Sequence, residues 1–490
     1  MYFIGIDLGT SAVKLLLMEE KGTILRTVSR EYPLSFPNPG WSEQEPHHWW
    51  GQSLEGLKEL LKDTDASQVG GIGVGGQMHG LVILDEQDQV IRPAILWNDG
   101  RTARETQWLN REIGKETLSA YTANIAFAGF TAPKLLWLKA NEPAHFAAIK
   151  KIMLPKDYLV YRLTGVHACD YSDASGMLLL DVKNKCWSQE MLEICGISQE
   201  QMPKLFESYE TVGTVKPQLA AALGLSEDVI VCAGAGDNAA AAVGTGTVGD
   251  GACNLSLGTS GTVFITAGDF RVDENNALHA FAHADGKYHL MGCMLSAASC
   301  NRWFMEDILQ DRDYAALQQE ITEEKLGRNH VYFLPYLMGE RSPHNDPLAR
   351  AAFIGMTMDS GRADLLQAVL EGVAFGLRDS VEVARSLGIS LTSSKLCGGG
   401  AKSPLWRKIL ANVLDLRLDL VETEEGPAYG GAILAAVARG VYASVEEAAA
   451  KIVRITGSIC PDPALRARYE EKYQIFKSLY PALRSLYPTL

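Results

Sequence analysis

The chain has 490 residues, 47% of them hydrophobic and 21% charged, with a formal net charge of −14. That length fits roughly two to four domains with sizeable cores. The acidic excess argues against nucleic acid or an anionic membrane as the main partner, yet leaves room for a nucleotide, whose phosphates need only a local pocket.

Residues 1–18 predict a hairpin, because an apolar β-prone run breaks at Leu8-Gly-Thr-Ser11 and resumes with Val13-Lys-Leu-Leu-Leu-Met18. The apolar start has no basic leader and carries Asp7, so it reads as a first strand and not as a signal peptide. Residues 70–76 read as a glycine-rich strand, and 81–84 and 90–97 as further strands. Residues 102–113, 132–140 and 155–163 read as helices, the last stopped by Gly165. A strand at 229–233 feeds Gly234-Ala-Gly-Asp237 and an alanine-rich helix at 238–243. The glycine-rich stretch 244–251 reads as a domain boundary, giving domains 1–245 and 246–490. A helix at 362–386, a strand at 395–397 followed by Gly398-Gly-Gly400, and a helix at 404–414 complete the alternation, which predicts an α/β fold. No apolar run approaches the roughly 20 residues of a membrane-spanning helix. Nine unpatterned cysteines suit reduced core thiols in a cytoplasmic protein.

The opening phrase returns half a chain later as Leu255-Ser-Leu-Gly-Thr-Ser-Gly261. Glycine lets such a turn come close to a ligand, and backbone N–H groups with Thr and Ser hydroxyls make an anion cradle. Two copies suggest two related halves facing one polyphosphate. Two other motifs fail on context. Gly244-Thr-Gly-Thr-Val-Gly249 follows a predicted helix and precedes a strand, the reverse of a dinucleotide turn. Gly398-Gly-Gly-Ala-Lys-Ser403 lacks P-loop spacing.

Four places carry candidate chemistry. Asp237 stands where a buried strand turns into a helix, among small residues; it reads as a catalytic carboxylate or as an N-cap. Asp7 interrupts an apolar strand, where a carboxylate needs a partner or a metal, or else a turn to cap. Gln77-Met78-His79 ends a strand, where hydroxylated ligands bind or a histidine is simply structural. Trp97-Asn98-Asp99 ends another, offering an aromatic face for a sugar or a core tryptophan.

With Gly75-Gly-Gln-Met-His-Gly80, Trp97-Asn-Asp-Gly-Arg101, Phe130-Thr-Ala-Pro-Lys-Leu-Leu-Trp137, Leu154-Pro-Lys-Asp-Tyr158, Gly236-Asp-Asn238, Gly339-Glu-Arg-Ser-Pro343 and Gly398-Gly-Gly-Ala401 in order along the chain, these residues resemble the FGGY family of carbohydrate kinases, in the actin-like ATPase superfamily. The resemblance implies two ribonuclease-H-like domains with a deep cleft between them. It further implies transfer of phosphate from ATP, with Mg²⁺, to a sugar; Gly75-Gly-Gln-Met-His-Gly80, Trp97-Asn-Asp-Gly-Arg101 and Leu154-Pro-Lys-Asp-Tyr158 look most like the bacterial branch that acts on D-xylulose at C5, and Met78 and His79 disfavour glycerol. L-ribulose, L-xylulose and gluconate are the alternative substrates. In that scheme Asp237 is the general base, and Met78, His79, Trp97, Asp237 and Asn238 form the sugar pocket. Thr10, Ser11, Lys14, Gly258 and Thr259 hold phosphates; Asp7 positions Mg²⁺; Gly399, Gly400 and Ala401 border the adenosine. A homodimer is a family expectation. Gly339-Glu-Arg-Ser-Pro343 reads as a structural loop, and Leu295-Ser-Ala-Ala-Ser-Cys-Asn-Arg-Trp303 matches the family only loosely. A non-catalytic ATP switch would lack a base at Asp237, and a sugar-sensing repressor would need a basic DNA-binding helix pair.

Overall fold

The computed structural model describes residues 1–423 and 425–490. They form two compact units. The first comprises Met1–Gly249, Ala280–Tyr288 and Glu425–Val453; the second takes the other described residues from Asp250 onward.

The first unit is built on a sheet in which the hairpin Tyr2–Leu8 and Ala12–Glu19 is extended by the antiparallel strand Ile24–Glu31. On its other side Tyr2–Leu8 runs parallel to Val69–Gly76, which in turn runs parallel to Ile230–Cys232. The antiparallel strand Thr211–Thr214 closes that edge. Both central strands are buried on both faces, which is why they read as continuous apolar or glycine runs and not as alternating ones.

Helix Gly426–Ala438 lies directly on these two strands, and glycine makes that possible. A Cβ on Gly5 would sit 1.7 Å from the Ala428 carbonyl oxygen, and one on Gly73 would sit 2.0 Å from that of Gly431. The helix is also close to Asp237–Gly244, where a Cβ on Gly430 would lie 1.8 Å from the Ala240 oxygen. A segment beyond residue 424 thus completes the first unit's core, so one cut near residues 245 and 246 does not separate the two units.

The second unit repeats the pattern. Its hairpin Cys253–Leu257 and Gly261–Ala267 is extended by Tyr288–Met294, and Cys253–Leu257 runs parallel to Ser393–Cys397. Arg417–Val421 follows in parallel and Ile455–Ile459 closes the edge antiparallel. The same strand order in both sheets is the structural form of the repeated Leu-Gly-Thr-Ser phrase.

Helices Arg362–Ser386 and Pro404–Leu414 fall where the apolar periodicity puts them. Residues 90–97 shrink to the two-residue strand Ala94–Ile95. Just before that segment the Asp85 carboxylate accepts from the N–H groups of Gln87 and Gln89, which favours a turn at 85–89. Residues 102–113 split into helix Ala103–Trp108 and a wider π-turn, Leu109–Gly114. Gly244 to Gly249 follows a helix and precedes a strand, which removes the dinucleotide reading. None of the nine cysteines is in a disulfide, and five are buried. Among the described residues no helix is long and apolar enough to cross a membrane.

Candidate active site

In the first unit three parallel strands end side by side. Asp7 pairs in register with Gly75, and the short strand Ala235–Gly236 pairs with Gly75 and Gly76. The carboxyl ends of parallel strands are where α/β sheets bind ligands. This register brings Asp7, the loop Gln77-Met78-His79 and Asp237 to one end of the sheet.

Asp237 is the first residue of helix Asp237–Gly244, with Gly236 in the cap position, so it is not an N-cap. Its Oδ1 accepts from the backbone N–H of Asn238 at 2.7 Å and from the Asn238 amide at 2.9 Å. Burial pushes its carboxyl up to about 6, with the Asn238 hydrogen bonds pulling the other way. Asp7 is pushed up to about 7, by burial first and then by the negative charge of Asp237, against the pull of Lys14. Two partly shielded carboxylates thus repel each other at one strand end, an arrangement that favours a cation or a shared proton.

The first hairpin turn is pinned from several sides. Gly9 donates to the Ala12 oxygen at 3.0 Å, and the Tyr32 hydroxyl donates to the Gly9 oxygen. The Gln44 amide donates to the Thr10 oxygen at 2.6 Å, while its Oε1 accepts from Gln77 Nε2 at 3.1 Å. One buried glutamine therefore fixes the turn relative to the Gln77 loop. Ser11 is exposed on the turn. Lys14, on the return strand, pairs with Glu425 at 3.0 Å. Trp97 is no core tryptophan: it is 46% exposed, and its indole N–H donates to Thr10 Oγ1 at 3.0 Å.

Met78 is buried, with its sulfur 4.0 Å from the Asn238 amide nitrogen. His79 has a left-handed backbone at φ 70°, and its Nδ1 donates to the Gly176 oxygen at 2.8 Å. The glycines beside Asp237 serve the backbone and do not clear ligand space. Gly234 has φ 74°, and a Cβ there would sit 1.9 Å from the Val74 oxygen; one on Gly236 would meet Met78 at 3.0 Å.

Behind the Asp237 turn lies a group that sequence reasoning placed only as a family motif. Lys156 is fully buried and pairs with Asp157 at 2.6 Å and Asp170 at 2.8 Å. Asp170 Oδ2 accepts from the Ser172 hydroxyl, whose oxygen in turn accepts from the Gly236 N–H at 3.2 Å. This chain of bonds braces the residue that precedes Asp237. The adjacent Lys156-Asp157 pair at the start of a helix was the available signal.

In the second unit, Leu295–Ser299 buttresses the second hairpin turn. Ala298 donates to the Gly258 oxygen at 2.9 Å, and Ala297 to the Thr259 oxygen at 3.0 Å. Glu340 holds this buttress by accepting from the Leu295 N–H at 3.0 Å, and burial pushes its carboxyl up to about 8. The loosely matching 295–303 segment and the Gly339 to Pro343 loop therefore both act on the hairpin.

Beside Thr259 opens a pocket of about 470 Å³, within the usual size range for small-molecule sites. Gly399, Gly400, Lys402, Ser403 and Gln318 are among its walls. A Cβ on Gly399 would meet nothing within 4 Å, so this glycine faces open space. Ala401 is buried, and its carbonyl accepts from Arg407. Lys402 and Ser403, unassigned from the sequence, line the pocket, with the Ser403 hydroxyl donating to Gln318 Oε1 at 2.6 Å.

Two sheets of matching strand order, each with a hairpin at a Leu-Gly-Thr-Ser turn, define a pair of related α/β units. The N-terminal domain of the FGGY family of carbohydrate kinases matches residues 2–244, and the C-terminal domain of that family matches residues 253–439. The chain belongs to the FGGY family of carbohydrate kinases. It is 42% identical to a xylulose kinase of Escherichia coli (strain K12) over 486 residues, covering 99% of each chain. Among solved structures, one titled as a "xyloylose kinase" from Brucella ovis shares 41% identity at a TM-score of 0.94, over 99% of this chain and all of that one. A gluconate kinase from Lactobacillus acidophilus superposes equally well, at a TM-score of 0.94, but at 26% identity, over all of this chain and 99% of that one.

Proposed function

We propose that the chain transfers the γ-phosphoryl group of ATP to the C5 hydroxyl of D-xylulose, giving D-xylulose 5-phosphate and ADP. The observation that carries this reading is the Asp237 carboxylate, raised to about 6 at the end of three converging strands, beside Met78 and Asn238. Both hydrogen bonds that Asp237 accepts go to Oδ1. Oδ2 takes the proton of the attacking hydroxyl as the O5–Pγ bond forms; the bond from Pγ to the bridging oxygen breaks, and its electron pair leaves with ADP. Positioning and charge stabilisation supply most of the catalysis in such transfers. The sugar rests against Met78, His79, Trp97 and Asn238. Thr10, Ser11 and Lys14 meet the transferring phosphate, Gly258 and Thr259 the remaining phosphates, and the 470 Å³ pocket at Gly399 and Gly400 the nucleoside.

Asp7 suits Mg²⁺. Among the described residues no group of three or more His, Cys, Asp or Glu side chains could hold a metal. Mg²⁺ needs only one or two carboxylates beside phosphates and water, and Asp7, its carboxyl raised by burial and by the negative charge of Asp237, would supply one. When bound, the ion neutralises phosphate charge.

The test is ADP release with MgATP across D-xylulose, L-xylulose, L-ribulose and gluconate. D-xylulose is expected to have the highest kcat/KM. Preferred turnover of another sugar overturns the substrate and keeps the chemistry.

The acid limb of the rate profile is a second check. The base must be ionised in the free enzyme, so log kcat/KM falls as pH drops through about 6, with unit slope below it. A limb near 4, the ordinary carboxylate range, would contradict the assignment.

Glu340→Ala removes the acceptor that holds the 295–299 buttress. Loss of a buried acceptor pair costs about 1.5 kcal/mol, so KM for ATP should rise about tenfold while KM for the sugar stays within twofold. Glu340→Gln keeps an acceptor oxygen and should behave like the parent. Steady-state kinetics with each substrate varied in turn reads both.

A further inference from the structure

Lys134 is a completely buried lysine on helix Thr131–Asn141. A buried ammonium is costly, and a methionine would fill the same volume without that cost. Burial pushes its pKa far down, against the nearby Asp99 carboxylate. Its hydrogen bonds go to two backbone carbonyls, His79 and Gly129, each at 2.7 Å.

One acceptor lies on a loop that carries sugar-pocket residues, and the other packs against the loop of Trp97. His79 is a non-glycine residue held in the left-handed region at φ 70°, a conformation that persists only where its surroundings over-determine it. The His79 carbonyl accepts from the Thr131 hydroxyl at 3.1 Å as well as from Lys134. The imidazole is fixed by its bond to the Gly176 oxygen and by the Phe130 ring, 4.7 Å away between centroids. Only glycine fits at 176, because a Cβ there would lie 2.4 Å from the His79 ring. Gly129 abuts the other loop: a Cβ on it would sit 2.5 Å from the Trp97 oxygen.

We propose that Lys134 is a positioning residue for the sugar pocket, tying the left-handed His79 loop to the Gly129 backbone that backs Trp97, and so setting the imidazole and the indole relative to each other. This rests on the reading that His79 meets the sugar. It also gives a physical reason for a lysine in Phe130-Thr-Ala-Pro-Lys-Leu-Leu-Trp137, which the phosphoryl-transfer scheme leaves without a role.

The experiment is a double-mutant cycle in the full chain, with KM and kcat measured separately for D-xylulose and ATP. Lys134→Met is expected to raise sugar KM at least tenfold, with ATP KM within twofold. In a His79→Ala background the same substitution should add less than twofold, because its effect runs through the imidazole. Thr131→Val removes one of the two donors to the His79 carbonyl without touching the charge. It should raise sugar KM two- to fivefold, and it replaces Lys134→Met in the cycle if that variant does not fold. Additive effects, or equal increases in both KM values, overturn the proposal while leaving His79 in the pocket. An unchanged sugar KM in His79→Ala alone overturns the pocket reading, and the proposal with it.

Discussion

Asp237→Asn is expected to lower sugar-dependent kcat about 10³-fold, with KM for sugar and for ATP within a few-fold of the parent. General bases contribute roughly 10² to 10⁴ in rate, and 10³ corresponds to about 4 kcal/mol of barrier. Asparagine has the same shape, and its Oδ1 can still accept from the Asn238 N–H that Asp237 uses now. The loss should therefore fall on kcat, the sign of an interaction made in the transition state. Stability should move the other way. The folded-state pKa of Asp237, about 6, lies above its ordinary value of 3.8, so folding binds the proton more tightly. Its contribution to stability is present below pH 3.8, lost as pH rises towards 6, and absent above. The amide carries no such penalty, so the variant's Tm should exceed the parent's at pH 7.5 and draw level near pH 4. Thermal melts at the two pH values, beside steady-state ADP release, read both halves. Retention of more than a tenth of parental kcat would remove Asp237 as the base.

The parts of this site that were legible in the sequence are those where chemistry is local. The two Leu-Gly-Thr-Ser turns, Asp7, and the strand-to-helix position of Asp237 all show in a few consecutive residues, and the hairpins form where the apolar runs break. Helix Pro404–Leu414 was readable for the same reason, since Ser403 caps it by accepting from Trp406 and Pro404 opens it. What the sequence hid was mostly tertiary. Lys134 and Lys156 act across 55 and 14 positions, on His79 and Asp170, and nothing nearby announces those partners. Trp97 reaches Thr10 across 87 positions. The glycines of 70–76 and 234–236 were visible, but their purpose was not. Absence of a side chain can admit a ligand or another piece of backbone, and here Gly73 and Gly234 admit backbone.

That backbone contact sets the second large effect. Gly5→Ala is expected to destabilise the first unit by about 3 kcal/mol or more and to leave little folded protein at 37 °C. The added methyl would lie 1.7 Å from the Ala428 oxygen, 2.7 Å from its carbonyl carbon and 2.9 Å from the Ala432 nitrogen. None of these atoms can turn away, because all belong to the backbone of helix Gly426–Ala438. Overpacking that displaces side chains typically costs 1 to 3 kcal/mol, and displacing a whole helix belongs at or beyond the top of that range. Total stabilities of about 5 to 15 kcal/mol make such a loss decisive. Gly430→Ala should behave alike, with its methyl 1.8 Å from the Ala240 oxygen. Gly51→Ala is the control: it sits in helix Pro46–Leu61 with nothing within 4 Å, so it should gain roughly 0.5 to 1 kcal/mol from helix propensity. Urea midpoints for the three variants decide the matter, and an unchanged midpoint in Gly5→Ala would refute the close packing. The consequence reaches the site, because Asp7 lies two residues further along the strand bearing Gly5, and the parallel partner of that strand ends at Gly76, just before Gln77-Met78-His79. A helix pushed off these strands moves the carboxylate and the sugar loop together. Any Gly5→Ala protein that does fold should therefore lose kcat at a saturating concentration of both substrates, even though position 5 touches neither.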